Sequence, residues 1–149
     1  LEPSFDLIAI DERAHYSLHD AAKLSGLPVF TFAHCDVGAL DDILKRRLRA
    51  QQRPLLITDG VFATTGRIPP LADYAAALAN YAGRMFIDES HGFGVVGENG
   101  RGAAEYCGVA DQVATGATLS KAFCAQGAIV GCSARMASRM RSAPPIRWM

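Results

Sequence analysis

The sequence has 149 residues, half of them hydrophobic and a fifth charged, which suits one globular domain with a core and excludes a disordered or fibrous chain. Fifteen Lys and Arg balance fifteen Asp and Glu, so no basic face is offered to a phosphate backbone or an anionic lipid, and neither nucleic acid nor membrane is expected as a partner. The four cysteines are scattered without a CxxC pair, which speaks against a zinc site or a disulfide framework and for a reducing, cytoplasmic setting.

In chain order, short apolar runs with β-branched residues predict strands at 5–10, 29–32, 54–58, 85–88, 113–115 and 128–132. Between them, apolar residues at helical spacing predict helices at 16–24, 39–50 and 71–81, the last with Pro70 at its first turn. Strands that read as continuous apolar runs, separated by helices, indicate an α/β fold: a mostly parallel sheet with helices on both faces. Ligands of such sheets collect at the carboxyl ends of the strands. No run approaches the roughly 18 apolar residues that cross a bilayer. The opening Leu1-Glu2-Pro3-Ser4 is neither a signal peptide nor an initiator methionine, and Ser142-Ala143-Pro144-Pro145 ends the alternation. The sequence is therefore expected to be the interior of a longer protein.

Most of the chemistry lies in two stretches. In the first, the strand Met85-Phe86-Ile87 delivers Asp88-Glu89-Ser90-His91 and then a loop with Gly92, Gly94, Gly97, Gly100 and Gly102, five of the fourteen glycines. Gly92 to Gly97 fits GxGxxG, but the dinucleotide motif needs its glycines directly after the strand and opening a helix, and here four polar residues intervene. Asp88 admits a cap or a solvated carboxylate as the plain reading. Asp88 with His91 also suits a cofactor, the carboxylate holding a positive ring nitrogen and the imidazole donating to an oxygen. A metal would accept the same pair, but no third ligand stands at suitable spacing.

In the second stretch, Thr118-Leu119-Ser120-Lys121-Ala122-Phe123 places a lysine among small and apolar residues just past a strand. Most lysines lie on surfaces. A desolvated one keeps free amine and forms a Schiff base with a carbonyl. Thr118 and Ser120, at the start of a possible helix, suit a phosphate. An imine-forming lysine, a carboxylate for a pyridine nitrogen and donors for phosphate together meet the needs of pyridoxal 5′-phosphate (PLP).

These stretches, with Asp11 to Leu18, Phe32-Ala33-His34 and Thr58-Asp59-Gly60-Val61-Phe62 in the same order, resemble the α-oxoamine synthases, fold type I PLP enzymes within the aminotransferase class I and II group. The likeness covers nearly the whole chain, with the 8-amino-7-oxononanoate synthase and glycine C-acetyltransferase branches nearest. It implies that residues 1–149 form the central part of the large PLP-binding domain. The family's phosphate loop would lie upstream, and its small C-terminal domain downstream. By the same resemblance, Lys121 binds PLP and moves the α-proton, Asp88 binds the pyridine nitrogen and His91 donates to the ring oxygen. Thr118 contacts the phosphate or its surroundings, and His15 stacks on the ring and meets substrate. The bare sequence leaves His15 equally open to a capping or exposed role, and His19 and His34 are read as structural or exposed.

The implied activity of the full-length protein is condensation of an amino acid with an acyl thioester, usually with decarboxylation, in a homodimer. The isolated 149 residues are expected to be inactive. An aminotransferase uses the same lysine and aspartate and stands as an alternative, as does a non-catalytic assembly domain. The latter draws on two departures: Ala63 where the family commonly has serine, and Cys124 where glycine is usual. The tail Pro144 to Met149 also departs from the family's serine-rich continuation.

Overall fold

The computed structural model describes residues 5–142. The predicted tail at 144–149 and the opening Leu1 to Ser4 lie outside them. The chain runs β1 (Leu7–Asp11), α1 (Tyr16–Leu24), β2 (Val29–Phe32), α2 (Val37–Arg47), β3 (Pro54–Asp59), α3 (Leu71–Ala79), β4 (Arg84–Asp88), α4 (Ala103–Tyr106), a 3-10 turn, β5 (Val113–Thr118), β6 (Ala128–Gly131) and α5 (Ala134–Ser142). The strands form one sheet in the order β2-β1-β3-β4-β5-β6. The first five are parallel and β6 is antiparallel to β5.

Burial explains why these runs are strands. All five residues of β1 are buried, as a strand with neighbours on both sides and cover on both faces requires. On one face, α1 sets Leu18 and Ala22 against Ile8, Ile10 and Ile57. On the other, α2 and α3 pack Leu40, Leu44, Leu71, Tyr74 and Leu78 against Leu7, Ala9, Leu56, Met85 and Ile87. Each such large side chain taken from water contributes roughly 1.5–3 kcal/mol.

The helix ends follow local chemistry. Asp36 Oδ1 accepts the Ala39 N–H at 2.9 Å, and Lys45, Arg46 and Arg47 fill the last turn of α2, where cations suit the carbonyl end. The expected 39–50 helix thus starts two residues early and stops at Arg47, because Leu48 is extended. Pro70 precedes α3 as its cap residue. The last helix, α5, buries no residue, although Met136, Ala137 and Met140 fall at helical spacing along it.

The chain order reverses at β1: β2 lies on one side of it and β3 on the other. All five parallel strands point their carboxyl ends to one edge, and that edge carries Asp11, Asp59, Asp88 and Thr118.

Candidate active site

Strand register decides which side chains can meet, because successive residues alternate between faces and parallel partners share one. Asp59 pairs with Asp88, and Asp88 with Gly116. Two residues beyond Gly116, Thr118 shares its face. This is the face of Ile57 and Ile10, which α1 covers, so His15 at the start of α1 belongs to the same side. Asp11 alternates with Ile10 and lies on the opposite face.

Lys121 and His91 are in direct contact, their Nζ and Nε2 atoms 2.8 Å apart. His91 stands three residues beyond Asp88, whose Oδ1 accepts the Ser90 N–H at 2.9 Å. Ser90 Oγ in turn accepts the Thr118 N–H at 3.2 Å, joining the ends of β4 and β5. The Thr118 and Ser120 hydroxyls lie 2.9 Å apart. His15 is the cap residue of α1 and is exposed; its Nδ1 meets Ser17 Oγ at 2.8 Å and its ring lies 4.4 Å from that of Tyr16. The structure thus puts Lys121 on His91, links Thr118 to the segment that follows Asp88, and ties His15 to Asp59, the register neighbour of Asp88.

Two expectations change. Lys121 was expected to be desolvated, but it is exposed: residues 120–131 all lie at the surface, where the turn after β5 stands out at the rim of the sheet. A hydrogen-bond partner, rather than burial, surrounds its amine. The helix expected after Ser120 is also absent. Residues 119–127 form a turn closed by Leu119 N–H to the Gly127 carbonyl at 2.9 Å and Ala125 N–H to the Leu119 carbonyl at 3.0 Å. The hydroxyls of Thr118 and Ser120 therefore face a turn and not a helix N-terminus.

Three carboxylates escaped sequence reading. Asp59 is 5% exposed and its Oδ2 accepts the His15 N–H at 2.8 Å. Burial pushes its carboxyl above the usual range, the His15 N–H pulls it down, and the neighbouring Asp88 adds to the rise. Glu89 is 1% exposed and accepts the N–H groups of Ala103 and Ala104 at 2.9 and 2.7 Å, pinning the glycine loop and the start of α4. Burial raises its carboxyl too. A signal existed for Glu89, since a buried acid must find donors and five glycines follow it. The loop contains a bridge between Phe93 and Arg101, and no helix starts before Ala103.

The third is Asp11, fully buried, whose carboxylate accepts the N–H groups of Arg13 and Cys35 at 2.8 and 2.9 Å and meets His34 Nδ1 at 3.0 Å. Asp11, His34 and Cys35 stand close enough to share a metal ion. Their hydrogen bonds also account for them as the clasp that holds the turns after β1 and β2, and the Cys35 thiol is pushed up, first by burial and then by Asp11. Clefts of about 680 and 270 Å³ lie at the amino ends of the strands, away from these residues.

The donor set at the carboxyl edge of the sheet is chemically particular. One primary amine, two imidazoles, two carboxylates and two hydroxyls come from the ends of β3, β4 and β5 and the start of α1. This set fits PLP, which offers an aldehyde, a phenolic oxygen, a basic ring nitrogen and a phosphate.

Residues 2–145 match the family model of aminotransferase class I and II. The chain is 40% identical over 132 residues to the 8-amino-7-oxononanoate synthase of Alkaliphilus oremlandii, a match over 88% of this chain and 33% of that protein. The fold superimposes on the serine palmitoyltransferase of Sphingomonas wittichii with a TM-score of 0.84 and 32% identity, over 95% of this chain and 35% of that one. It also matches a high-resolution structure of SPT with PLP as an internal aldimine, with a TM-score of 0.84, 28% identity and coverage of 92% and 34%. The chain thus spans about a third of the length of these relatives. With a matching family model over nearly its whole length, a matching sheet and a donor set suited to PLP, the chain belongs to the aminotransferase class I and II family, in its α-oxoamine synthase branch.

Proposed function

We propose that the whole protein to which this chain belongs condenses an amino acid with an acyl thioester, usually with loss of carbon dioxide, using PLP bound at the edge that carries Asp88 and Lys121. When bound, PLP supplies an aldehyde carbon and an electron-accepting ring. Lys121 would hold the aldehyde carbon, Asp88 the ring nitrogen, His91 the phenolic oxygen and Thr118 the phosphate, while His15 would cover the ring and meet substrate.

The observation that carries this reading is the 2.8 Å contact of Lys121 Nζ with His91 Nε2. A lysine that takes a proton from the substrate α-carbon and gives it up again is served by a neighbour able both to accept and to donate, and a neutral imidazole carries one nitrogen of each kind. Asp88, as a carboxylate, favours a cation beside it and so a protonated ring nitrogen. The exposure of Lys121 leaves its amine open to an aldehyde. The proposal includes a homodimer as the working form and a cytoplasmic setting; no helix among the described residues is long and apolar enough to cross a membrane. The upstream phosphate loop and the downstream small domain belong to this proposal as well.

The test uses the full-length protein. Incubation with PLP is expected to give a visible absorbance band, and borohydride to fix the cofactor on the peptide containing Lys121. Lys121→Ala is expected to abolish both. A wild-type protein that shows no band, or a band that survives Lys121→Ala, overturns the assignment. Consumption of an acyl-CoA together with an amino acid supports the condensation; consumption of a keto acid instead identifies an aminotransferase.

A further inference from the structure

A carboxylate at the end of a buried strand needs donors, and Asp59 draws its own from far away in sequence. Its Oδ2 accepts the backbone N–H of His15, 44 residues earlier and on another element. Asp59 is 5% exposed, so this is a sheltered bond rather than a surface contact. A buried carboxylate left without its donor is costly, which makes the bond a firm constraint on the entry to α1. The His15 ring is oriented separately, by the contact of its Nδ1 with Ser17 Oγ. Backbone and ring of one residue are thus held by different partners, and only the backbone partner belongs to the sheet.

That partner also stands beside the cofactor's proposed carboxylate. Asp59 and Asp88 are register partners on adjacent strands, and the Gly60 N–H donates to the Asp88 carbonyl at 2.8 Å, locking the two strand ends together. A shift of Asp59 therefore moves His15 relative to Asp88, His91 and Lys121.

We infer that Asp59 is a positioning residue for the reaction: it holds the first turn of α1 to the end of β3 and so sets where the His15 imidazole stands over the cofactor and substrate. This rests on the role given to His15 in the proposed function. Asp59 touches neither reactant and acts through His15 alone.

The experiment uses the full-length enzyme as wild type, Asp59→Asn, Asp59→Ala, His15→Ala and the double variant Asp59→Ala/His15→Ala. Two quantities are read: kcat/KM for the condensation, and amide hydrogen exchange of the 12–20 segment in the cofactor-free protein. Asp59→Ala is expected to lower kcat/KM by about 10- to 100-fold, the scale of a small misplacement of a reacting group, and to speed exchange in the segment. Asp59→Asn keeps an acceptor oxygen and should stay within about threefold of wild type on both measures. In the His15→Ala background, Asp59→Ala should cost less than about a further threefold, because a residue that acts through His15 has nothing left to position. Multiplying losses in the double variant, an Asn variant as impaired as the Ala variant, or unchanged exchange in Asp59→Ala overturns the inference. If Asp59→Ala does not fold, Asp59→Ser, whose hydroxyl is too short to reach His15, takes its place under the same criteria. Borohydride trapping on Lys121 separates the two levels. Trapping together with multiplying losses overturns the role of Asp59 alone, whereas a wild type that traps nothing overturns the functional reading and this role with it.

Discussion

Lys121 and His91 meet at 2.8 Å although thirty positions separate them in the chain. With the lysine as donor, His91 Nε2 is the acceptor and the ring proton resides on Nδ1. Two loops that leave adjacent parallel strands bring the pair together, which places a base and an amine on one edge without any local sequence motif linking them.

Removal of the imidazole tests that pairing. His91→Ala in the full-length enzyme is expected to lower kcat by about 10²-fold, the usual contribution of one positioned proton-transfer group. Borohydride trapping on Lys121 should persist. Steady-state kinetics with the trapped-peptide assay measures both, and a kcat within a factor of about two of wild type would show that His91 has no part in proton movement.

Glu89 ties stability to pH. Its carboxyl is raised by burial, against the opposing pull of the Ala104 and Ala103 N–H groups. A raised folded-state value means that the folded protein binds more protons than the unfolded chain. The contribution of the protonated group is therefore complete below the unfolded value near 4.5 and is lost as pH rises through the folded value. Glu89→Gln, which like the protonated carboxyl offers one acceptor oxygen to the two backbone donors, is expected to match wild type in acid to within about 1 kcal/mol and to lose no stability as pH rises. The difference should therefore open in favour of Glu89→Gln as pH rises above the unfolded value. Denaturant melts of the two proteins across acid to neutral pH measure it.

Gly102 combines a φ of 97° with the Glu89 carboxylate on the side where a Cβ would stand. Gly102→Ala therefore adds backbone strain and a collision with a buried carboxylate. A loss of more than about 2 kcal/mol is expected from the two together. A shift in denaturation midpoint corresponding to less than that would mean that Glu89 moves aside easily.

Cys124 has a φ of 47°, in the left-handed region that favours glycine. The residue is exposed, and its backbone N–H donates to the Lys121 carbonyl at 3.3 Å. Cys124→Gly is expected to stabilise the protein by about 0.5–1 kcal/mol, the relief of left-handed strain exceeding the entropy that glycine adds to the unfolded chain. Thermal melting is the readout; a fall in stability would sink the expectation.

Much of the sheet was legible in advance. The expected strands at 54–58 and 85–88 lie within one residue of the observed β3 and β4, because central strands of a parallel sheet are buried on both faces and read as unbroken apolar runs. β5 runs to Thr118, three residues beyond expectation, through a Gly-Ala-Thr sequence with little strand preference that pairs because β4 and β6 flank it. α5 was missed although Met136, Ala137 and Met140 fall at helical spacing between arginines, and α4 because four residues show no period. Among the candidate residues, Asp88, His91, Lys121 and Thr118 stood out as residue types at or just beyond strand ends, whereas Asp59 entered only as part of a matching stretch and was given no role of its own. The burial of Lys121 was expected from its small apolar neighbours, but Ser120, Ala122 and Phe123 beside it are themselves exposed at the rim.

The amino-acid order by itself determined the alternation of strand and helix and supplied one amine, two imidazoles and several carboxylates at the ends of strands, because periodicity and residue type are local properties. The tertiary structure alone decided that β1 lies between β2 and β3, that β6 runs antiparallel, and that Asp59 reaches His15 while Lys121 reaches His91. Those relations depend on pairing between segments tens of residues apart. Such pairing is settled by which apolar faces bury one another across the whole sheet, and no short stretch of chain carries that information.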